Sequence, residues 1–167
     1  EMAGLPESLR RLTAQAAREN GCEGATAEEG PWRMTLDAPV LMPFLEHGER
    51  RERREELYRA YVTRASSGEV DNTPIIERIH ALRNEIAVIL GFGSFAELSI
   101  DSKMAPSLEA VEALLEQLRA ASIEAAGRDL EALREHADRT STDDRGETLE
   151  LWDVAFHAER LREERFD

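Results

Sequence analysis

Residues Pro31–Ser66 read PWRMTLDAPVLMPFLEHGERRERREELYRAYVTRAS, and this stretch contains the patterns that decide the fold class. Apolar and polar residues alternate over Trp32–Leu36, which is the strand candidate of the sequence. Pro43 limits Val40–His47 to a short helix or a turn, because proline has no N–H to donate inside a helix. Glu49–Ser66 is predicted to form a long charged helix. Its buried side is predicted to carry Leu57, Tyr58, Tyr61, Val62 and Ala65.

Outside this stretch the sequence predicts mostly helices, with Ser94–Ser99 forming one or two helical turns. The predicted longer helices are Leu9–Glu19, a helix opened by Thr73–Pro74 with Thr73 as N-cap and stopped by Gly91, a helix from Pro106–Ser107 to about Ala137, and a final helix from Leu149 onward. Gly127 is expected to bend or break the longest of them. Loops near residues 20–31, 67–73 and 139–148 are predicted to be mobile.

Two of these helices carry apolar residues at helical spacing, which predicts that each buries one side. The helix after Thr73 has such a stripe at Ile75, Ile79, Leu82, Ile86 and Ile89. The longest helix has its own at Leu108, Val111, Leu115, Leu118 and Ala125. Aromatic residues make up 5% of the 167 residues, and β-branched residues are sparse, so a β-rich domain is excluded. The predicted fold is therefore mainly α, a bundle-like array of about five or six helices with at most one short strand, in a single segment.

The net charge of −14 argues against nucleic acid and against an anionic membrane as partners, because both require clustered basic residues. The one dense basic run, which begins at Arg50, is interleaved with glutamates. The single cysteine, Cys22, excludes an internal disulfide framework and fits a reducing, cytoplasmic location. Cys22 has no histidine nearby in sequence that could activate its thiol, so it is not predicted to be a nucleophile.

The four histidines are the first candidates for metal binding and catalysis. Zinc peptidases place two histidines four residues apart on one helix, with a glutamate beside the first, in an H-E-x-x-H motif. None of the four histidines is followed by Glu or has another His four residues later, so the motif is absent. We assign no catalytic residue and no metal ligand, and substrate-binding residues are not identified.

Three weaker patterns remain. Glu77 and His80 have the spacing of a di-iron half-site, but the second copy that such a site needs is missing, and His80 is interpreted as a packing residue. Asp153 and His157 are interpreted as a helix-surface pair. The aromatic residues Trp32, Tyr58, Tyr61 and Trp152 are interpreted as packing residues rather than as a stacking platform for a ligand.

Several short segments occur in a fixed order along nearly the whole chain. They are MAGLPE from Met2, WRMTLDAP from Trp32, REELYRAYVTRAS from Arg54, DNT from Asp71, IHALRNEIA from Ile79, LGF from Leu90, SKMA from Ser102 and WDVAF from Trp152. In this order they resemble the mid-chain region of the thimet oligopeptidase and oligopeptidase A family of zinc metallopeptidases.

The resemblance implies a part of a larger all-α peptidase that hydrolyses short peptides in a deep, narrow channel. In that family the zinc ligands, the general-base Glu and the transition-state-stabilising residues lie further along the polypeptide, and no residue here matches them. The resemblance therefore implies zinc in the parent enzyme, none in this chain, and no activity of the chain alone. Residue 1 is Glu rather than Met, and the last helix stops at Asp167 in mid-pattern, so the chain is interpreted as a fragment.

The partners implied are the remainder of the peptidase chain and, for the parent enzyme, short peptides. A fragment would expose apolar surface that its missing portion covers, which predicts self-association. Two alternatives stay open: a stand-alone helical module that binds peptides or proteins, and an independent metal-binding protein built on Glu77, His80 and His157.

Overall fold

The computed structural model describes residues 2–140 and 148–166. The described residues form seven α-helices and one short 3-10 turn, Gly68–Val70, so the predicted mainly α fold is confirmed. The helices are α1 (Glu7–Glu19), α2 (Ala38–His47), α3 (Arg51–Val62), α4 (Thr73–Ile89), α5 (Phe95–Asp101), α6 (Leu108–Thr140) and α7 (Val154–Phe166). No helix among the described residues combines the length and the apolar character that crossing a bilayer requires.

The strand predicted at Trp32–Leu36 does not form. Within the described residues the β-type pairing is one isolated bridge between Thr26 and Gly30. A strand needs a neighbouring strand to satisfy its backbone groups, and this segment has a helix beside it instead. The Arg33 N–H donates to the Thr13 carbonyl of α1 at 3.0 Å. The alternation of apolar and polar residues does not indicate whether a strand or a helix lies beside the segment.

The chain divides into two compact units, Glu1–Thr63 with Leu130–Asp167, and Arg64–Asp129. The core of the first unit lies between α1 and α2, where the buried apolar residues are Leu5, Leu9, Val40 and Phe44. A second small cluster joins α1 to the following loop through Ala14, Ala17 and Ala25, with Trp32 packed against it. Helix α2, predicted as a short helix or turn, is a ten-residue helix that contains Pro43. It contacts α1, α3 and α7, so it is the centre of this unit.

Helix α3 is shorter than predicted, and it buries a different residue from those expected. It spans Arg51–Val62 rather than Glu49–Ser66, and its buried residue is Arg54. Val62, predicted to be buried, is 52% exposed. Leu57, Tyr58, Tyr61 and Ala65 are only partly buried. Arg54 is buried because it binds the buried carboxylate of Asp153, which lies just before α7 and 99 residues away in sequence.

In the second unit, α4 and α5 are joined by a turn that the sequence predicted. Gly91 follows α4 with φ +84°, a conformation that glycine adopts without steric cost. The Ser94 side chain caps α5 by accepting from the Glu97 N–H at 3.2 Å. At the other end of α4 the N-cap is Asn72, and Thr73 is the first helical residue, so the predicted cap was one residue late.

The apolar stripe of α4 is exposed, which contradicts the prediction that it is buried. All five stripe residues are at least 40% exposed, and Ile89 reaches 81%. The stripe of α6 is also largely uncovered, since Leu115 is 60% and Leu118 is 58% exposed. Helical periodicity indicates which side of a helix is apolar, but it does not indicate whether this chain contains the residues that cover it.

Helix α6 runs from Leu108 to Thr140 as one helix, so of the predicted bend or break at Gly127 the break does not occur. A single glycine costs about 1 kcal/mol relative to alanine, which a helix of this length tolerates. The predicted polar loop near residues 139–148 is only partly testable. Residues 139–140 belong to α6, and residues 141–147 lie outside the described part of the chain.

Candidate functional site

Arg54 is a buried charged residue of the first unit, only 3% exposed. Its Nη1 donates to the Gly48 carbonyl at 2.7 Å and to the Glu49 carbonyl at 3.3 Å, both just beyond the end of α2. Its Nε donates to the Trp152 carbonyl at 3.3 Å, and its Nη2 donates to Asp153 Oδ1 at 2.8 Å. Arg54 therefore ties the end of α2 to the segment that leads into α7.

Asp153 is 2% exposed and accepts from two arginines of α3. Arg51 binds it through Nη2 to Oδ2 at 2.8 Å and through Nε to Oδ2 at 3.0 Å, while Arg54 binds Oδ1. Asp153 Oδ2 also accepts from the Glu150 N–H at 3.2 Å. Burial lowers the pKa of the Arg54 guanidinium, and its hydrogen bond to Asp153 opposes that shift. We call Arg51, Arg54 and Asp153 the ion cluster.

Aromatic rings surround the ion cluster. The guanidinium of Arg54 lies 4.1 Å from the ring centroid of Phe156, and those of Arg51 and Arg59 lie 5.6 and 4.8 Å from that of Trp152. Such cation–π contacts contribute about 0.5–1 kcal/mol at exposed sites and more where water is excluded. The Trp152 indole N–H has no hydrogen-bond partner within the described part of the chain. Trp152 is a packing residue, as the sequence suggested.

A pair of histidines connects α6 to α7. His136 is buried, and its Nδ1 lies 2.9 Å from Nδ1 of His157, so one of the two nitrogens carries a proton and the other accepts it. His136 Nε2 also lies 3.3 Å from Glu164 Oε1. Burial, with the nearby His136 as a smaller cause, lowers the pKa of His157 from 6.5 to about 4.

An open cavity of about 790 Å³ adjoins these groups, and it is lined by residues of both charges. Arg51, Arg54 and Arg160 contribute positive charge, while Glu49, Glu52, Glu55, Glu163 and Glu164 contribute negative charge. Asp153 also lines the cavity, so the acidic side chains of the lining outnumber its arginines. The arrangement of nucleophile, base and oxyanion donors that hydrolysis requires is not found among the residues described around it.

One group of metal-ligating side chains stands out among the described residues: His47, Glu159 and Glu163. His47 is the last residue of α2, and the two glutamates lie one helical turn apart on α7. These residues do not match the H-E-x-x-H motif, in which both histidines and the glutamate come from one helix. The three residues therefore differ from the ligand set that the resemblance implies for a catalytic zinc.

The residues of the alternative metal site, Glu77, His80 and His157, are divided between the two units. Glu77 and His80 are exposed on α4 in the second unit, so the interpretation of His80 as a packing residue was wrong. His157 belongs to the histidine pair of the first unit. The interpretation of Asp153 and His157 as a helix-surface pair was wrong for Asp153, which is buried in the ion cluster. Sequence reasoning also missed Arg54, because nothing in a run of alternating Arg and Glu distinguishes the one arginine that is buried. Cys22 is exposed and unpaired.

Comparison with known proteins identifies the family. The sequence profile of peptidase family M3 matches residues 44–167, about three quarters of the chain. The chain belongs to peptidase family M3. The matched part of this M3 chain contains α3 to α7, and thus the whole ion cluster and the histidine pair. The family resemblance stated from the sequence is confirmed.

Named relatives match the M3 chain over its full length. It is 48% identical over 167 residues to the organellar oligopeptidase A, chloroplastic/mitochondrial, of Arabidopsis thaliana, covering 100% of this chain and 21% of the relative. It is 47% identical to a probable cytosolic oligopeptidase A of the same plant, covering 100% of this chain and 24% of that relative. The oligopeptidase A of Haemophilus influenzae is 35% identical, over 98% of this chain and 23% of its own length. The chain thus spans about a fifth to a quarter of the relatives it matches.

Proposed function

We propose that residues 1–167 form one non-catalytic segment of a zinc-dependent oligopeptidase that hydrolyses short peptides, and that they serve as part of its helical wall. The observation that carries this proposal is the 48% identity along the entire chain to an oligopeptidase A, of which the chain covers 21%. The absence of H-E-x-x-H from the 167 residues supports a non-catalytic role for the segment. In the whole enzyme, zinc would polarise the scissile carbonyl and activate a water molecule, through residues other than these.

The exposed apolar stripe of α4 supports the remainder of the peptidase as the partner of this segment. Monomeric proteins rarely leave a contiguous apolar surface of this kind uncovered. The stripe repeats over four turns of the helix, from Ile75 to Ile89, which is the pattern of a helix that packs along its whole length. Further polypeptide of the same protein would cover it.

For location, the single exposed cysteine supports a reducing compartment, and one relative is a probable cytosolic enzyme. We propose the cytoplasm on these two grounds. The organellar relative supports a chloroplast or a mitochondrion as the alternative. Localisation of the tagged full-length gene product would distinguish these compartments from the cytoplasm.

The first test is peptide hydrolysis. We expect the 167-residue chain to leave a quenched fluorescent peptide uncleaved, with or without added zinc, because it lacks the metal ligands and the general base. A full-length oligopeptidase A assayed in parallel is the positive control. Turnover that follows the chain through size-exclusion chromatography and is stopped by a chelator would contradict the proposal.

The second test concerns the α4 stripe. We expect the isolated chain to self-associate at high concentration, and the double variant Ile79→Glu/Ile86→Glu to shift it toward monomer, because two charges in an apolar contact oppose association. The control is His80→Glu/Asn84→Glu, which adds the same charge at polar positions of α4 and should leave the association unchanged. Light scattering measures both. A wild-type chain that stays strictly monomeric would count against the uncovered stripe as a packing surface.

The same stripe fits a second candidate function, a stand-alone module that binds peptides or proteins through α4. Reading the encoding gene beyond Asp167 distinguishes the two proposals. A continuing reading frame with an H-E-x-x-H motif supports the peptidase segment, and a natural stop codon supports the interaction module.

A further inference from the structure

We propose that His47, Glu159 and Glu163 form a structural binding site for a divalent transition metal ion, for which Zn²⁺ is the best fit. The site would link the end of α2 to α7 in the first unit. It is separate from the catalytic zinc of the family, whose motif this chain does not contain, and it does not depend on the proposed function.

The geometry brings three ligand atoms from distant parts of the sequence to one place. One nitrogen of His47 and one carboxylate oxygen each of Glu159 and Glu163 lie within 4.8 Å of one another. Glu159 and Glu163 are four residues apart on α7, so their carboxylates share one side of the helix. The three residues are partly buried, with the Glu159 side chain 18% and the Glu163 side chain 35% exposed. A metal ion would therefore be held at the boundary between protein and water.

The position of His47 relative to α7 is fixed by the buried Arg54. Arg54 holds the carbonyls of Gly48 and Glu49, the two residues that follow His47, and at the same time holds Trp152 and Asp153 before α7. The elements that carry the ligands are thus joined by a buried set of hydrogen bonds before any metal arrives. A preorganised set of ligands loses little conformational entropy on binding, which favours affinity.

The donor set indicates the class of metal. Imidazole nitrogen favours zinc, copper, iron and nickel, whereas sites for magnesium and calcium use oxygen ligands alone. One imidazole with two carboxylates matches the ligand types that Zn²⁺ takes, and three protein ligands leave a fourth position for water.

Arginines occupy the two carboxylates in the metal-free chain. Arg162 binds both oxygens of Glu159, at 2.8 and 2.9 Å, and Arg160 binds Glu163 Oε2 at 2.5 Å. Each carboxylate oxygen has two lone pairs, so a metal ion shares the carboxylates with these arginines or displaces them. The arginines compete with the metal, and removing one of them should strengthen metal binding or leave it unchanged.

The experiment is a calorimetric titration of Zn²⁺ into the metal-free 167-residue chain. A Cys22→Ser background removes the exposed thiol as a competing ligand. We expect one Zn²⁺ per chain, and we expect His47→Gln and Glu163→Gln each to weaken binding at least about tenfold, equivalent to 1.4 kcal/mol. Co²⁺ in place of Zn²⁺ should give visible absorption bands, and both variants should need at least about tenfold more Co²⁺ to develop them.

The matched control for Glu163→Gln is Arg160→Gln. It breaks the same ion pair but keeps the ligand, so metal affinity should be retained or raised. His80→Gln removes an exposed histidine of the other unit and should have no effect. Circular dichroism of each metal-free variant verifies that it is folded. If Glu163→Gln unfolds because its ion pair with Arg160 is lost, His47→Gln, which leaves that pair intact, decides the outcome. No binding, or binding that His47→Gln leaves unchanged, would overturn the site.

Discussion

Replacing Asp153 by Asn is expected to lower the free energy of unfolding of the first unit by about 3–5 kcal/mol, the cost of leaving a buried charge without its partner. Asp153 and Arg54 are both almost fully buried, and they are joined at 2.8 Å. The variant keeps the size of the side chain but removes its charge, so the loss reports electrostatics rather than a cavity.

The measurement is urea unfolding followed by tryptophan fluorescence. Both tryptophans, Trp32 and Trp152, belong to the first unit, so the signal reports that unit directly. The matched control is Glu7→Gln, which makes the same chemical change in the ion pair of Glu7 with Arg11 on α1. Its side chains are 58% and 71% exposed, and such surface pairs contribute less than about 1 kcal/mol.

A double variant separates the charge effect from packing. Arg54→Met with Asp153→Leu replaces the pair by apolar side chains, and such replacements of buried ion pairs are often neutral or stabilising. The carbonyls of Gly48, Glu49 and Trp152 then lose their donor, so we expect the double variant to recover only part of the stability. If Asp153→Asn costs no more than Glu7→Gln, the ion cluster does not hold α3 to α7.

Most of the helices could be predicted from the sequence because their signals are local. Gly91 ends α4 through a backbone conformation that glycine adopts freely, and Ser94 caps α5 three residues before Glu97. The failed strand at Trp32–Leu36 and the exposed stripe of α4 share one cause. Both depend on what lies next to the segment in space, and the pattern within a segment does not contain that information.

The candidate sites were less predictable for the same reason. Arg54 meets Asp153 across 99 residues, and His47 meets Glu159 across 112, so no motif spacing relates them. The part of the metal site that the sequence did show is the four-residue spacing of Glu159 and Glu163 on a predicted helix. The absence of the H-E-x-x-H motif, by contrast, is a property of the sequence alone and needs no structure.

The second large effect is expected on acidification. The pKa of His157 lies near 4 in the folded chain, below its ordinary value of 6.5, so between these two values the unfolded chain binds a proton that the folded chain does not. Stability contributed by the neutral His157 is therefore fully present above about pH 6.5 and is lost as the pH falls toward 4. The loss is at most about 1.4 kcal/mol per pH unit, and the partial exposure of the ring reduces it.

Burial is the main cause of the lowered pKa of His157, and the charged groups around the ring modify it. His136 and the arginines of the ion cluster oppose a positive charge on His157, while the carboxylate of Asp153 favours it. If the accepting Nδ1 of the pair is protonated, two N–H groups face each other at 2.9 Å, which breaks their hydrogen bond. Protonation should therefore separate α7 from the end of α6.

The measurement is urea unfolding of metal-free protein at pH 7 and pH 5, followed by tryptophan fluorescence, for the wild type and His157→Gln. We expect the wild type to lose about 1 kcal/mol more than the variant over this interval, because glutamine does not titrate. His80→Gln, which removes an exposed histidine, should keep the pH dependence of the wild type. Proton NMR titration measures the pKa of His157 directly. A value near 6.5 would contradict the prediction, because His157 would then be protonated without cost to the fold.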